Sequence, residues 1–252
     1  MISIKSSSEI ELMRKAGMLV SEMHKFNKPY IKEGITTKEL DKLCTDFIKK
    51  HDAIPTCIGY EGYPSALCTS VNDTVVHGIP DNYKLKNGDI ITIDVVIGYK
   101  GYQGDAAWTY AVGEISDEKK YLMEHTEKAL YEGIKEVKPG NHIGDISNAV
   151  QVYAESHNLG VVEELCGHGI GTDMHEDPEV PNFGIKGTGP VLKEGMVICI
   201  EPMLTLGERY IYMEDDGWTI KTDDGLPAAH YEHTVLVTKD GYEILTPRLE
   251  EE

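Results

Sequence analysis

Apolar residues recur at two different periods along this chain, and the switches between them separate helical from extended stretches. Ile10, Met13, Ala16, Gly17, Val20 and Met23 fall on one face at helical spacing, and Ser8 with Glu11 just ahead has the form of a capping box. A second amphipathic helix is predicted from about Thr37, a residue suited to an N-cap, through Leu40, Leu43, Cys44 and Phe47 toward His51. The segment IPTCIGYEGYPSALCTSVNDTVVHGIP then interrupts short β-branched runs with glycine, proline and asparagine, which predicts short strands and loops. Helical spacing returns at about 117–137 and 143–157, and the chain from Val161 onward reads mainly as strands.

Between the two helical regions, LKNGDIITIDVVIGYKGYQGDAAWTY at 85–110 reads as a β-hairpin. Ile90, Ile91, Ile93, Val95, Val96 and Ile97 are apolar on both faces, as expected of a central strand covered on each side. Gly98 and Gly101 bracket Tyr99-Lys100, and a two-residue loop there places Asp94 directly opposite Asp105. Like charges in that relation destabilise a sheet, and a divalent cation between them is the simplest compensation.

The order repeats. Leu85 to Asp94 and Leu192 to Glu201 share LKxGx(I/V)IxI and end in a carboxylate, 107 positions apart. Lys32-Glu-Gly with Glu39-Leu recurs as Lys138-Pro-Gly with Asp145-Ile at nearly the same offset, and His77-Gly-Ile recurs as His168-Gly-Ile. The expectation is one α+β domain over 1–252, built of halves at roughly 9–112 and 117–245 related by a pseudo-twofold, with the acidic hairpins meeting between them.

Charge and cysteine usage narrow the function. A net charge of −19 argues against broad binding to nucleic acid or anionic lipid. Five cysteines without CxxC spacing, and no apolar leader or membrane-length apolar run, fit a protein of the reducing cytoplasm. By the repeat, Glu201 takes in the second half the place of Asp94, Glu232 is its candidate partner, and His168 adds a nitrogen donor. Singly, Glu232 reads equally as a cross-strand ion-pair partner and His168 as a loop histidine held by backbone. Together, four carboxylates and one imidazole suit two hard or borderline divalent ions, Mn²⁺, Fe²⁺ or Co²⁺, which polarise a carbonyl and turn a bridging water into a hydroxide nucleophile.

IKSSSEIELMRKAG, GYPSALCTSVNDTVVHGIP, GDIITIDVVIGYKGYQGDAAWT, CGHGIGTDMHEDP and CIEPM resemble, from end to end, the type I methionine aminopeptidases, two-metal hydrolases of the pita-bread fold. That fold has pseudo-twofold-related halves and a central antiparallel sheet covered by helices. The resemblance implies Asp94, Asp105, His168, Glu201 and Glu232 as metal ligands, with Asp105 and Glu232 bridging, Asp94 on one ion, and His168 with Glu201 on the other. It implies Glu201 as proton shuttle, His175 as oxyanion donor, His77 as the group positioning the peptide, and a methionine pocket of Cys57, Tyr60, Tyr63, Cys68, Met174 and Trp218. Met174 stands where many bacterial relatives carry an aromatic residue, so a more pliable wall is expected there. His24, His51, His125, His142, His157, His230 and His233 are expected to be solvated or structural, His233 pointing away from its neighbour Glu232 if the strand is regular.

The implied activity is removal of the initiator methionine from nascent polypeptides, best before a small second residue, by a cytoplasmic monomer that docks transiently on ribosomes. The short interval from Glu201 to Glu232 and the start of the match near residue 1 point to the minimal prokaryotic form. Two other readings remain: an X-Pro aminopeptidase or prolidase with similar ligands, and a pita-bread binding protein without catalysis.

Overall fold

The computed structural model describes residues 1–249. Helix α1 (Ser7–Asn27) buries Met13, Ala16, Leu19, Val20 and Met23, the face the periodicity predicts. Its cap is Ser6 rather than Ser8, with the Glu9 carboxylate accepting from the Ser6 backbone N–H and hydroxyl. Helix α2 (Thr37–Lys50) is capped by Thr36 rather than Thr37, Thr36 Oγ1 accepting from the Glu39 N–H at 3.1 Å. In each case the cap lies just upstream of the residue expected, and the pairing with the glutamate at N3 decides between neighbouring hydroxyls. Helices α3 (Asp117–Lys135) and α4 (Ile143–Ser156) occupy the two later periodic stretches.

All the strand pairings among the described residues are antiparallel, and the fold is α+β. In one sheet the central strand Ile90–Tyr99 lies between Tyr102–Ala111 on one side and Leu67–Val71 with Ile54–Pro55 on the other. A five-stranded sheet runs Tyr242–Ile244, His233–Val237, Val197–Ile200, Cys166–Gly169, Glu176–Pro181. The strand Met203–Thr205, between Ala228–His230 and Gly160–Val161, continues the chain beyond Glu201. Side chains alternate along the central strand. Ile91, Ile93, Val95 and Ile97 join the main core with Leu19, Val20, Leu40, Cys44 and Ile48 of the first two helices, while Asp94 and Val96 face the other way.

The hairpin register differs from the sequence expectation. The loop is Lys100-Gly101, both at left-handed φ (49° and 86°), as a type I′ turn requires, and glycine at its second position meets that demand without strain. Asp94 therefore pairs with Ala107 and Asp105 with Val96, so the two carboxylates are diagonal rather than directly opposed. A shift of two in pairing preserves face, so both still point to one side.

One strand of the second sheet, with the residue just before it, is sewn to the first by polar contacts. Thr234 Oγ1 donates to the Asp105 carbonyl at 2.8 Å and accepts from its N–H at 3.0 Å, and the Glu232 N–H donates to the Ala107 carbonyl at 2.7 Å. Helix α1 crosses the hairpin through two glycines: a Cβ on Gly104 would lie 2.6 Å from Gly17 N, and one on Gly17 only 2.3 Å from the Leu245 carbonyl oxygen. Gly17→Ala tests this contact. Helix propensity favours alanine by about 1 kcal/mol, but overpacking against backbone costs about 1–3 kcal/mol. The expected result is a net loss of stability, read as a lower urea midpoint; an unchanged or raised midpoint would show that the helix can ride outward freely.

Candidate metal centre and binding cavity

Asp94 and Asp105 come from the hairpin, Glu201 from the turn after Val197–Ile200, Glu232 from the residue before His233–Val237, and His168 from Cys166–Gly169. All five border one cavity of about 270 Å³. Ligand atoms of Asp105, His168, Cys199 and Glu232 lie within 4.8 Å of one another, as do those of Glu201, His230 and Glu232. His168 Nε2 is 3.5 Å from Glu201 Oε1 and 3.8 Å from Asp105 Oδ2, and its Nδ1 faces the Gly169 carbonyl at 2.9 Å. That backbone partner fixes the tautomer with the Nε2 lone pair turned to the carboxylates, the arrangement a ligand histidine needs.

The electrostatics are those of a site suited to a cation. Burial pushes the Asp105 carboxyl well above its ordinary range, reinforced by Glu232, Asp94 and Glu201. Glu201 is raised by burial and Asp94, Glu232 by burial, Glu201 and Asp94, and Asp94 by burial. Asp105 Oδ1 and Glu232 Oε1 are buried without a hydrogen-bond partner, a costly state for oxygens that carry charge. An oxygen-rich set with one imidazole fits divalent metal, which lowers these same pKa values when bound. Burial, followed by the charges of Glu232, Asp105 and Glu201, holds the Cys199 thiol well above its usual range.

His77 and His175 flank this centre. His77 is held at a left-handed φ of 57°, an uncommon backbone state that histidine tolerates better than most residues. Burial, followed by the charges of His230 and His175, depresses its pKa to about 4. His175 stands at the mouth, its ring edge-on to His168 at 4.3 Å and its Nδ1 2.7 Å from the Tyr60 hydroxyl. The remaining wall is apolar and soft: Cys57, Tyr63, Cys68, Val96 and Met174 form a small cluster, against which Tyr60 and Trp218 pack. Tyr63 is pinned by its hydroxyl, which donates to the carbonyls of Leu67 and Gly78, and Trp218 stands edge-on to it at 5.1 Å. Both cysteine thiols are raised by burial, so the wall carries no thiolate.

Every site residue named from the sequence thus borders this cavity. Glu61 and Val96 also border it, and His230 lines an adjoining cavity with Asp94, His168 and Glu201; none of the three is among the site residues named from the sequence. His230 is not solvated: it is 1 % exposed, with Nε2 3.3 Å from Glu201 Oε2. The signal was its position two residues before Glu232, since alternate residues of an extended segment share a face. His233 is turned away, to Thr246 and Tyr131.

The profile of metallopeptidase family M24 matches residues 11–239. The chain is 50 % identical to methionine aminopeptidase 1 of Bacillus subtilis, over 98 % of this chain and 99 % of that relative. A solved methionine aminopeptidase from Rickettsia prowazekii superposes with a TM-score of 0.97 at 44 % identity, covering 98 % of this chain and 100 % of that one. A prolidase from Pyrococcus furiosus superposes with a TM-score of 0.77 at 23 % identity, covering 98 % of this chain and 66 % of the prolidase, a likeness of fold alone.

Proposed function

The chain belongs to metallopeptidase family M24, and from that membership we infer a metal-dependent aminopeptidase that releases N-terminal methionine. The fold is the pita-bread arrangement, and the chain binds divalent metal. The observation that carries the reading is a carboxylate-rich cluster with an imidazole opening onto a cavity whose opposite wall is aromatic and sulfur-rich. X-Pro cleavage is not favoured, because the prolidases share this fold at much lower identity.

We further propose that Asp94, Asp105, His168, Glu201 and Glu232 would hold two ions, Co²⁺, Mn²⁺ or Fe²⁺, Asp105 and Glu232 being the carboxylates that would serve both. Asp105, His168, Glu201 and Glu232 are supported by two overlapping groups of close donor atoms that share Glu232, and Asp94, in neither group, by its place on the same cavity. Bound there, the ions supply Lewis acidity and lower the pKa of an attacking water. Glu201 takes up the proton of that water and delivers it to the leaving amine. With the Tyr60 hydroxyl donating to His175 Nδ1, the His175 proton sits on Nε2, free to donate to the developing oxyanion. His77 holds the peptide nitrogen. A wall of Cys57, Tyr60, Tyr63, Cys68, Met174 and Trp218 takes the unbranched thioether by apolar burial and S–aromatic contact, and a small second residue fits best.

A single domain of two related halves is supported by matching turns. Gly34 and Gly140 have φ of 92° and 93°, and their N–H groups donate to the carbonyls of Leu85 and Leu192. We also propose a cytoplasmic monomer that acts on nascent chains and docks transiently on ribosomes; failure to cosediment with ribosomes at low salt would remove the docking.

The direct test supplies metal-stripped protein with Mn²⁺, Fe²⁺ or Co²⁺ in turn and measures methionine released from Met-Ala-Ser and Met-Lys-Ser, with Ala-Pro-Ser alongside. Metal-dependent release confined to Met-Ala-Ser is expected. Cleavage of Ala-Pro-Ser alone would move the chain to the X-Pro branch, and no release with any metal would make it a binding protein.

A further inference from the structure

His230 has no part in the reaction as described so far, yet it is among the most enclosed polar groups in the protein. It is 1 % exposed, and neither ring nitrogen has a hydrogen-bond partner. Its backbone is fixed on two sides. It pairs with Met203, and its N–H and carbonyl both meet Thr109 Oγ1, at 3.1 and 2.9 Å. The ring therefore has little freedom to relocate, and what it faces is carboxylate: Glu201 Oε2 lies 3.3 Å from Nε2, and Asp94 lines the same cavity as His230.

Glu201 thus stands between two imidazoles, Oε1 toward His168 at 3.5 Å and Oε2 toward His230 at 3.3 Å. The two rings are not equivalent. His168 has the backbone acceptor on Nδ1 that holds a ligand histidine with its Nε2 lone pair outward, whereas His230 has no group fixing that tautomer. An imidazole without such a partner, beside a carboxylate oxygen, satisfies both groups by donating Nε2–H to it. Separations of this kind are commonly long in a resting site and tighten when the site is loaded.

We propose that His230 is a positioning residue for Glu201: it donates from Nε2 to Glu201 Oε2, keeps that carboxylate monodentate, and so presents Oε1 to the ion shared with His168. The proposal rests on the reading of Glu201 as a metal ligand. It adds a residue that touches neither substrate nor metal and acts only through Glu201.

Two variants separate donation from packing: His230→Phe keeps a ring and removes the donor, and His230→Gln removes the ring and keeps an N–H donor. Calorimetric titration of the stripped proteins with Mn²⁺ should show one binding step of His230→Phe weakened about 10–100-fold, the range for loss of a group that orients a ligand. His230→Gln should recover most of the affinity. The visible spectrum of bound Co²⁺ should change in His230→Phe and stay near wild type in His230→Gln, and kcat of His230→Phe should fall with little change in KM. Wild-type Mn²⁺ affinity in His230→Phe would overturn the proposal, as would a His230→Gln variant as impaired as His230→Phe, which would make the imidazole itself a ligand or a packing element. Should His230→Phe not fold, the Co²⁺ spectrum of His230→Gln decides alone, a wild-type band supporting donation and an altered one refuting it. If the wild-type protein releases no methionine, the functional reading fails, while the metal titrations still judge His230.

Discussion

Asp105→Asn is expected to abolish turnover of Met-Ala-Ser while leaving the metal-free protein at least as stable as the wild type. Loss of a group that merely orients a metal ligand costs about 10–100-fold, and Asp105 lies within the ligand cluster itself. A fall of at least about 10³-fold in kcat/KM is expected, equivalent to about 4 kcal/mol of transition-state stabilisation. The stability effect runs the other way. Asp105 is buried among Glu232, Asp94 and Glu201, which oppose its ionisation, and the isosteric amide removes one of the repelling charges. The hydrogen bonds between its backbone and Thr234 are untouched by the change. A functional carboxylate should therefore cost stability in place, and the two measurements, turnover with saturating Mn²⁺ and melting temperature in chelator, should move in opposite directions. Retained turnover with metal bound would show that the reaction does not use this residue.

Removing metal should destabilise the protein, increasingly so as pH rises. At a free ion concentration a hundredfold above Kd, binding to the folded state alone contributes about 2.7 kcal/mol. In a chain of this length that corresponds to a rise in melting temperature of about 5–11 °C. The pH dependence follows from the carboxylates. In the metal-free protein Asp105, Glu201 and Glu232 are held well above the ordinary range, above all by burial. Groups with raised folded pKa values contribute stability that is complete below their unfolded values, about 4, and is lost as pH rises through the folded ones. The metal-free protein should therefore weaken from mildly acidic pH upward, on account of these groups. Divalent cations need the deprotonated ligands and bind more tightly over the same interval. The melting-temperature gap between loaded and stripped protein should widen from pH 5.5 to 8, and a gap that narrows would mean that the cluster does not hold the cation.

What could be read from the chain, and what could not, divides by the range of the interaction. The helices were legible because one apolar face repeats over many turns, as Met13, Ala16, Val20 and Met23 do, whereas their first residues were displaced where hydroxyls adjoin, at Ser6, Ser7 and Ser8 and at Thr36 and Thr37. The hairpin was legible but its turn was not, because Gly98 and Gly101 both offered a bracket and only the left-handed pair at Lys100-Gly101 meets the twist of the strands. The shared face of Asp94 and Asp105 survived that error because it depends on parity alone. Most of the candidate site was accessible through the internal repeat and the family resemblance. His230 was announced only by its place two residues before Glu232, since its surroundings come from pairing with Met203 and from Thr109, 121 positions away, which the local sequence does not show.

The contacts between Thr234 and Asp105 span 129 positions, and those between His230 and Thr109 span 121. Contacts of such long range form late, because the chain entropy of closing the intervening loop must be met before they return anything. Of the five proposed ligands, Asp94 and Asp105 come early in the chain and His168, Glu201 and Glu232 late, so an emerging chain folded only through the hairpin offers two of the carboxylates and lacks the His168 imidazole. Tight metal uptake is thus a late event in the life of each molecule, reporting that both halves have been made and joined.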